Sequence, residues 1–95
     1  MKEDNRQIYI NKLTDNLPML RMKLNLTQKE LADIIGVSSY TVLAIEKKQR
    51  KMTWNTFLSI ILVCMIDDDV RPILSALGIY DDTLINFIKG RGEVI

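Results

Sequence analysis

The sequence contains no histidine. Imidazole is the commonest general base near neutral pH and the commonest metal ligand, so its absence removes the usual starting point for catalysis and for metal binding. No metal or cofactor is expected, and neither is an enzyme. Cysteine occurs once, at position 64. A disulfide framework within the chain is therefore impossible, which suits a reducing cytoplasm, the expected location. Cys64 lies in an apolar run and reads as a small buried hydrophobe. There are only two prolines and four glycines, so long helices meet few breakers. Long apolar runs are also missing. The longest, Phe57 to Ile66, has ten residues including Ser59. That is too short to span a bilayer and reads as a core helix, so no membrane association is expected. The opening stretch, MKEDNRQ, is polar and does not read as a signal peptide.

What is present fits one small helical domain. A chain of 95 residues with 47 % hydrophobic content supports a single modest core. The net charge is only +1, but it is unevenly spread. Residues 1–51 carry ten Lys+Arg against six Asp+Glu, and residues 52–95 carry three against six. A basic first half and an acidic second half point to one face for a polyanion and another for something else.

The most informative stretch is Thr27 to Lys47, TQKELADIIGVSSYTVLAIEK. Thr27 and Glu30 fit a capping box at a helix start. Leu31, Ala32, Ile34 and Ile35 are expected on its inner face. Gly36 stands where the helix must stop, and glycine accepts the left-handed conformation that such a stop needs. Val37 can plug the turn, and Ser38 or Ser39 can cap the next helix. On that second helix Val42, Ile45 and Glu46 share one side. The outward positions are then Ser39, Tyr40, Leu43, Ala44 and Lys47. A basic loop, Lys47 to Lys51, follows.

In type and spacing, Leu31, Ala32, Gly36, Val42 and Ile45 resemble the helix-turn-helix of the phage repressor and Cro-like family, also called the XRE family. The resemblance covers roughly residues 14–66. It implies an all-α, five- or six-helix bundle of the lambda-repressor-like type that binds double-stranded DNA, with the second helix of the motif in the major groove. Expected DNA contacts are Gln28 and Lys29 at the first helix's start; Ser39, Tyr40, Leu43, Ala44 and Lys47 on the second; and Arg50 and Lys51 in the basic loop. None of the five on the second helix is Arg, Gln or Asn, the side chains that make bidentate base contacts, so direct readout looks sparse and DNA shape is expected to carry part of the specificity. The family commonly has glycine at position 48 and proline near 52. This chain has Lys48 and Met52, so a differently shaped exit from the helix is expected. Relatives also pair an arginine and a glutamate at the places of Arg21 and Glu46, and both are assigned here to the scaffold.

Along the rest of the chain, residues 1–7 are expected to form a mobile arm. The helical pattern Ile10, Leu13, Leu17, Leu20 and Leu24 meets Pro18, which predicts a kinked helix or a break between Asp15 and Asn16. Thr53 can cap a helix with Trp54, Phe57, Leu58, Ile61, Leu62 and Met65 on its stripe. The run Asp67-Asp68-Asp69 lacks the alternation of a calcium loop and reads as a negative helix start. Asp81 or Asp82 can cap a last helix carrying Leu84, Ile85, Phe87 and Ile88, and Gly90-Arg91-Gly92 reads as a frayed end. The expected division is residues 1–15 as arm and short helix, 16–66 as DNA-binding core, and 67–95 as C-terminal helices with a possible dimerisation role.

The function expected is that of a stand-alone transcriptional regulator, in the first instance a repressor, acting as a homodimer. The competing expectation is a protein-interaction module, such as the antitoxin of a toxin–antitoxin pair or an adaptor, with Tyr40, Leu43 and Ala44 offered to a protein groove.

Overall fold

The computed structural model describes residues 3–90. Six helices follow one another: α1 Glu3–Lys23, α2 Gln28–Ile35, α3 Ser39–Glu46, α4 Trp54–Met65, α5 Arg71–Ala76 and α6 Asp82–Ile88. Among the described residues there is no strand, and no helix is long and apolar enough to cross a membrane.

Of the two alternatives for α1, a single helix through Pro18 forms and the break near Asp15 does not. An interior proline costs about 3 kcal/mol, by removing one backbone donor and by crowding the carbonyl one turn back. Against that, Ile10, Leu13, Leu17 and Leu20 are all buried on one face, on both sides of the proline. Each such burial is worth roughly 1.5–3 kcal/mol, so keeping one helical register outweighs the lost bond. The arm differs from expectation. Helix begins at Glu3, and the Arg6 guanidinium lies 5.5 Å from the ring centres of both Trp54 and Phe87. Attraction of the cation to these ring faces draws the expected arm onto the bundle. Met1 and Lys2 of that arm lie outside the described residues, as do Arg91 and Gly92 of the expected frayed end.

Four helices start on a side-chain cap. Thr27, Ser38, Thr53 and Asp81 accept hydrogen bonds from the amides of Glu30, Thr41, Thr56 and Leu84, respectively. At α2 the box is complete, because Glu30 accepts in return from the Thr27 amide. The acidic run acts just ahead of α5: Asp67 Oδ1 accepts from the amides of Asp69 and Val70 and closes the turn that leads into the helix.

The core joins the inner faces of α1 to α4 with Val70, Leu74, Ile79 and Leu84 from the acidic half. Trp54 stacks on Phe57 with ring centres 4.7 Å apart, and Phe87 meets Trp54 edge-on at 6.2 Å. Tyr9 ties α6 to α1, its hydroxyl donating to Asp81 Oδ1 at 2.6 Å. Ile34, expected inside, is 58 % exposed. Leu31, Ala32 and Ile35 already form the i, i+1, i+4 stripe that faces the core, which turns Ile34 to the flank.

Candidate nucleic-acid interface

Helices α2 and α3 are joined by a tight left-handed turn. Gly36 has φ 80° and ψ 31°, and the amides of Gly36 and Val37 both donate to the Ala32 carbonyl, at 2.9 and 3.0 Å. A residue with a β-carbon is disfavoured there, which accounts for the glycine. Leu31, Ala32, Val42 and Ile45 fill the space between the helices and are all nearly inaccessible. Ala32 is small where the two helices cross.

A polar network fixes α3 against α1. Arg21 donates to Glu46 through Nε (2.8 Å) and Nη2 (3.1 Å), and through Nη1 to the Leu26 carbonyl at 3.0 Å. Both side chains are largely shielded, 17 % and 7 % exposed. The carboxylate holds the Arg21 pKa above its ordinary value by accepting these bonds. A third member was not expected: Gln28 Nε2 donates to Glu46 Oε1 at 3.0 Å. Gln28 was expected to contact phosphate, but its side-chain amide is turned inward. The reason is local. The first turn of α2 faces the end of α3, and the largely shielded carboxylate there offers more lone pairs than one arginine fills.

The outer side of α3 carries Ser39 and Tyr40, both exposed, and a half-buried Leu43. Ala44 corrects the expectation. It was placed outward, yet it is 2 % exposed and stands apart from the main core cluster. The chain after α3 doubles back at this point, and the amides of Gln49 and Arg50 donate to the Ala44 carbonyl at 2.8 and 3.3 Å. Ala44 is thus not available for base contact. The apolar surface that α3 could offer a protein groove shrinks correspondingly.

The reversal depends on Lys48, whose φ is 61°. The residue that stands where the resembled family commonly has glycine thus adopts a left-handed backbone. Its ammonium reaches Asp15 of α1 at 2.8 Å, an exposed pair. Folding back also carries Arg50 onto α3. Arg50 Nη1 donates to Thr41 Oγ1 at 2.9 Å, and the guanidinium lies 5.9 Å from the Tyr40 ring centre. Tyr40 and Arg50, expected at separate places, are therefore neighbours.

Lys47 and Lys51 are exposed, and Lys29 pairs with Asp33 at 3.2 Å on the surface of α2. Five exposed cations, Lys29, Lys47, Lys48, Arg50 and Lys51, thus lie on α2 or at the C-terminal end of α3 and the loop beyond it. Exposed pairs such as Lys29–Asp33 and Lys48–Asp15 are worth about 0–1 kcal/mol, so a polyanion can compete for either lysine. Sequence reasoning missed Thr41 and Asp15 in this region. Thr41, three residues after the Ser38 cap, carried a usable signal as a first-turn hydroxyl; Asp15 is distant in sequence and carried none. Among the described residues no group of three or more His, Cys, Asp or Glu could hold a metal ion.

A family model described as helix-turn-helix matches residues 19–53. No curated protein and no solved structure matches the chain. The matched stretch begins in the last part of α1, takes in α2, the Gly36 turn, α3 and the basic loop, and ends at the cap of α4. Within that stretch the Thr27 and Ser38 caps, the Gly36 turn and the packing of α2 on α3 build a helix-turn-helix, the motif that the matching family model describes.

Proposed function

We propose that this protein is a sequence-specific regulator of transcription, most simply a repressor. It lays the exposed side of α3 in the major groove and the 47–51 loop along the phosphate backbone. The observation that supports this reading is that Arg50 of the basic loop lies against the first turn of α3, bonded to Thr41 and 5.9 Å from the ring of the exposed Tyr40. Lys29, at the start of α2, adds a phosphate contact beside the free amides of the helix terminus. Residues 67–90 complete the core and leave the apolar side chains of Leu62 on α4 and of Ile66, its C-cap one turn later, exposed. Pairing of two copies over this end would place two α3 helices on a two-fold site.

The reading is tested by titrating purified protein into labelled duplex at several salt concentrations. Each phosphate contact contributes about −0.9 to the slope of log affinity against log salt. Replacing Lys47 and Lys51 with alanine is expected to flatten that slope by about two. An unchanged slope in the double variant would remove the loop from the interface.

A further inference from the structure

The outward residues of α3 lack any side chain with a two-donor fork, yet the fold supplies one from outside the helix. We propose that Arg50 is a specificity-determining residue that reads a guanine in the major groove, held in place by Tyr40 and Thr41. This rests on the DNA-binding reading above and goes beyond it, because a loop cation after the recognition helix is otherwise a phosphate contact.

The geometry separates the two roles. Arg50 belongs to the loop, but its guanidinium is not extended from the loop. It is drawn back to the first turn of α3, where Nη1 donates to Thr41 Oγ1 at 2.9 Å and the plane lies 5.9 Å from the Tyr40 ring centre. Residues of that first turn are the ones a helix-turn-helix presents to base edges. The Arg50 amide bonds to the Ala44 carbonyl, so the side chain departs from a tethered backbone. With Nη1 engaged, the Nε–H and Nη2–H edge has no partner among the described residues. Two parallel donors on one edge match the O6 and N7 acceptors of guanine. Thr41 is itself fixed, since its Oγ1 lies 2.9 Å from the Oγ of the capping Ser38. Tyr40 is 62 % exposed and offers the guanidinium a flat face to rest on. Gln49, the other forked side chain in the loop, has no side-chain bond to α3.

The experiment is selection of binding sites from a randomised duplex pool by the full chain and by variants, each first checked for an unchanged helical spectrum and thermal midpoint. Arg50→Lys keeps the charge and loses the fork. The parent protein is expected to prefer guanine at one base pair of each half-site by about ten- to a hundred-fold. In Arg50→Lys that preference should fall to a few-fold or less, with the salt slope of binding unchanged. Tyr40→Phe keeps the ring and should keep the preference; Tyr40→Leu removes the face and should weaken the preference. If Arg50→Lys and Arg50→Ala select the same sites as the parent and only bind them more weakly, Arg50 is a phosphate contact and the proposal is wrong. A parent protein that binds duplex but selects no guanine at any position contradicts it equally. Failure of the parent to bind duplex at all overturns the DNA reading itself, and this inference with it.

Discussion

Lys48 stores strain at the exit of α3. Its φ of 61° lies in the left-handed region, which costs a residue with a β-carbon roughly 1–2 kcal/mol. Lys48→Gly relieves that strain and loses only the exposed contact to Asp15, worth about 0–1 kcal/mol. Glycine's greater freedom in the unfolded chain offsets part of the gain. The variant is expected to be more stable in urea by up to about 1 kcal/mol; a clear loss would mean the ammonium of Lys48 matters more than its backbone. Nothing in lysine as a residue type announces this conformation; the one sign was the glycine that the resembled family commonly has at position 48. The misplacement of Ala44 followed, because its burial comes with the reversal at Lys48. Tyr9 gives a second test. Burial, and then the Asp81 carboxylate, push its phenol from the ordinary 10 up to about 12. A raised folded-state value favours the protonated phenol, so this contribution is fully present below pH 10 and is lost as pH rises towards 12. Tyr9→Phe should cost roughly 1.5 kcal/mol at neutral pH, by removing a hydrogen bond to a charged group. It should also make the fall in stability between pH 10 and 12 shallower. Denaturation curves across that range check both. Cys64, buried and with its thiol also pushed up to about 12, contributes equally to parent and variant.

Helix α3 is held by apolar packing against α2 and by one ionic staple to α1. Glu46 accepts from both Arg21 and Gln28, so Glu46→Ala strands a guanidinium and an amide together. Breaking a buried pair by removing one partner costs about 3–5 kcal/mol; the partly accessible Arg21 puts the expected loss near the lower end. That is a large share of the 5–15 kcal/mol typical of a domain. Arg21→Met with Glu46→Leu removes both charges and should recover part of the loss. Adding Gln28→Met should recover more, because the amide otherwise keeps a donor without an acceptor. Chemical denaturation of the series decides it, and a Glu46→Ala variant as stable as the parent would show that the staple contributes nothing. At this scale the sequence was readable where local chemistry decides. The caps at Thr27 and Thr53 and the stop at Gly36 follow from residue type and periodicity, while Ser38 and Asp81 are each one of two adjacent candidates that the sequence leaves open. It was unreadable where distant contacts decide. The unbroken path of α1 through Pro18 depends on a core that several helices share. The inward turn of Gln28 depends on a carboxylate eighteen residues away.

Across the whole molecule, the basic and acidic halves have different tasks. The first half supplies α2, α3 and the cationic loop. The second closes the core, with Phe87 against Trp54 and Leu84 fully buried, and leaves Leu62 and Ile66 exposed for a second copy on the proposed reading. Uneven charge was visible in the composition, but which helices would consume their own apolar faces was not, since that depends on how α6 returns to α1. On the proposed reading duplex DNA meets the chain along α3 and the basic loop. Amide chemical shifts of the labelled full chain, followed as a selected duplex is added at low salt, report that contact residue by residue. The largest changes are expected on residues 28–30, 39–43 and 47–51, while the amides of α5 and α6 move little. Changes confined to α4, α5 and α6, or no change at all, would contradict that reading.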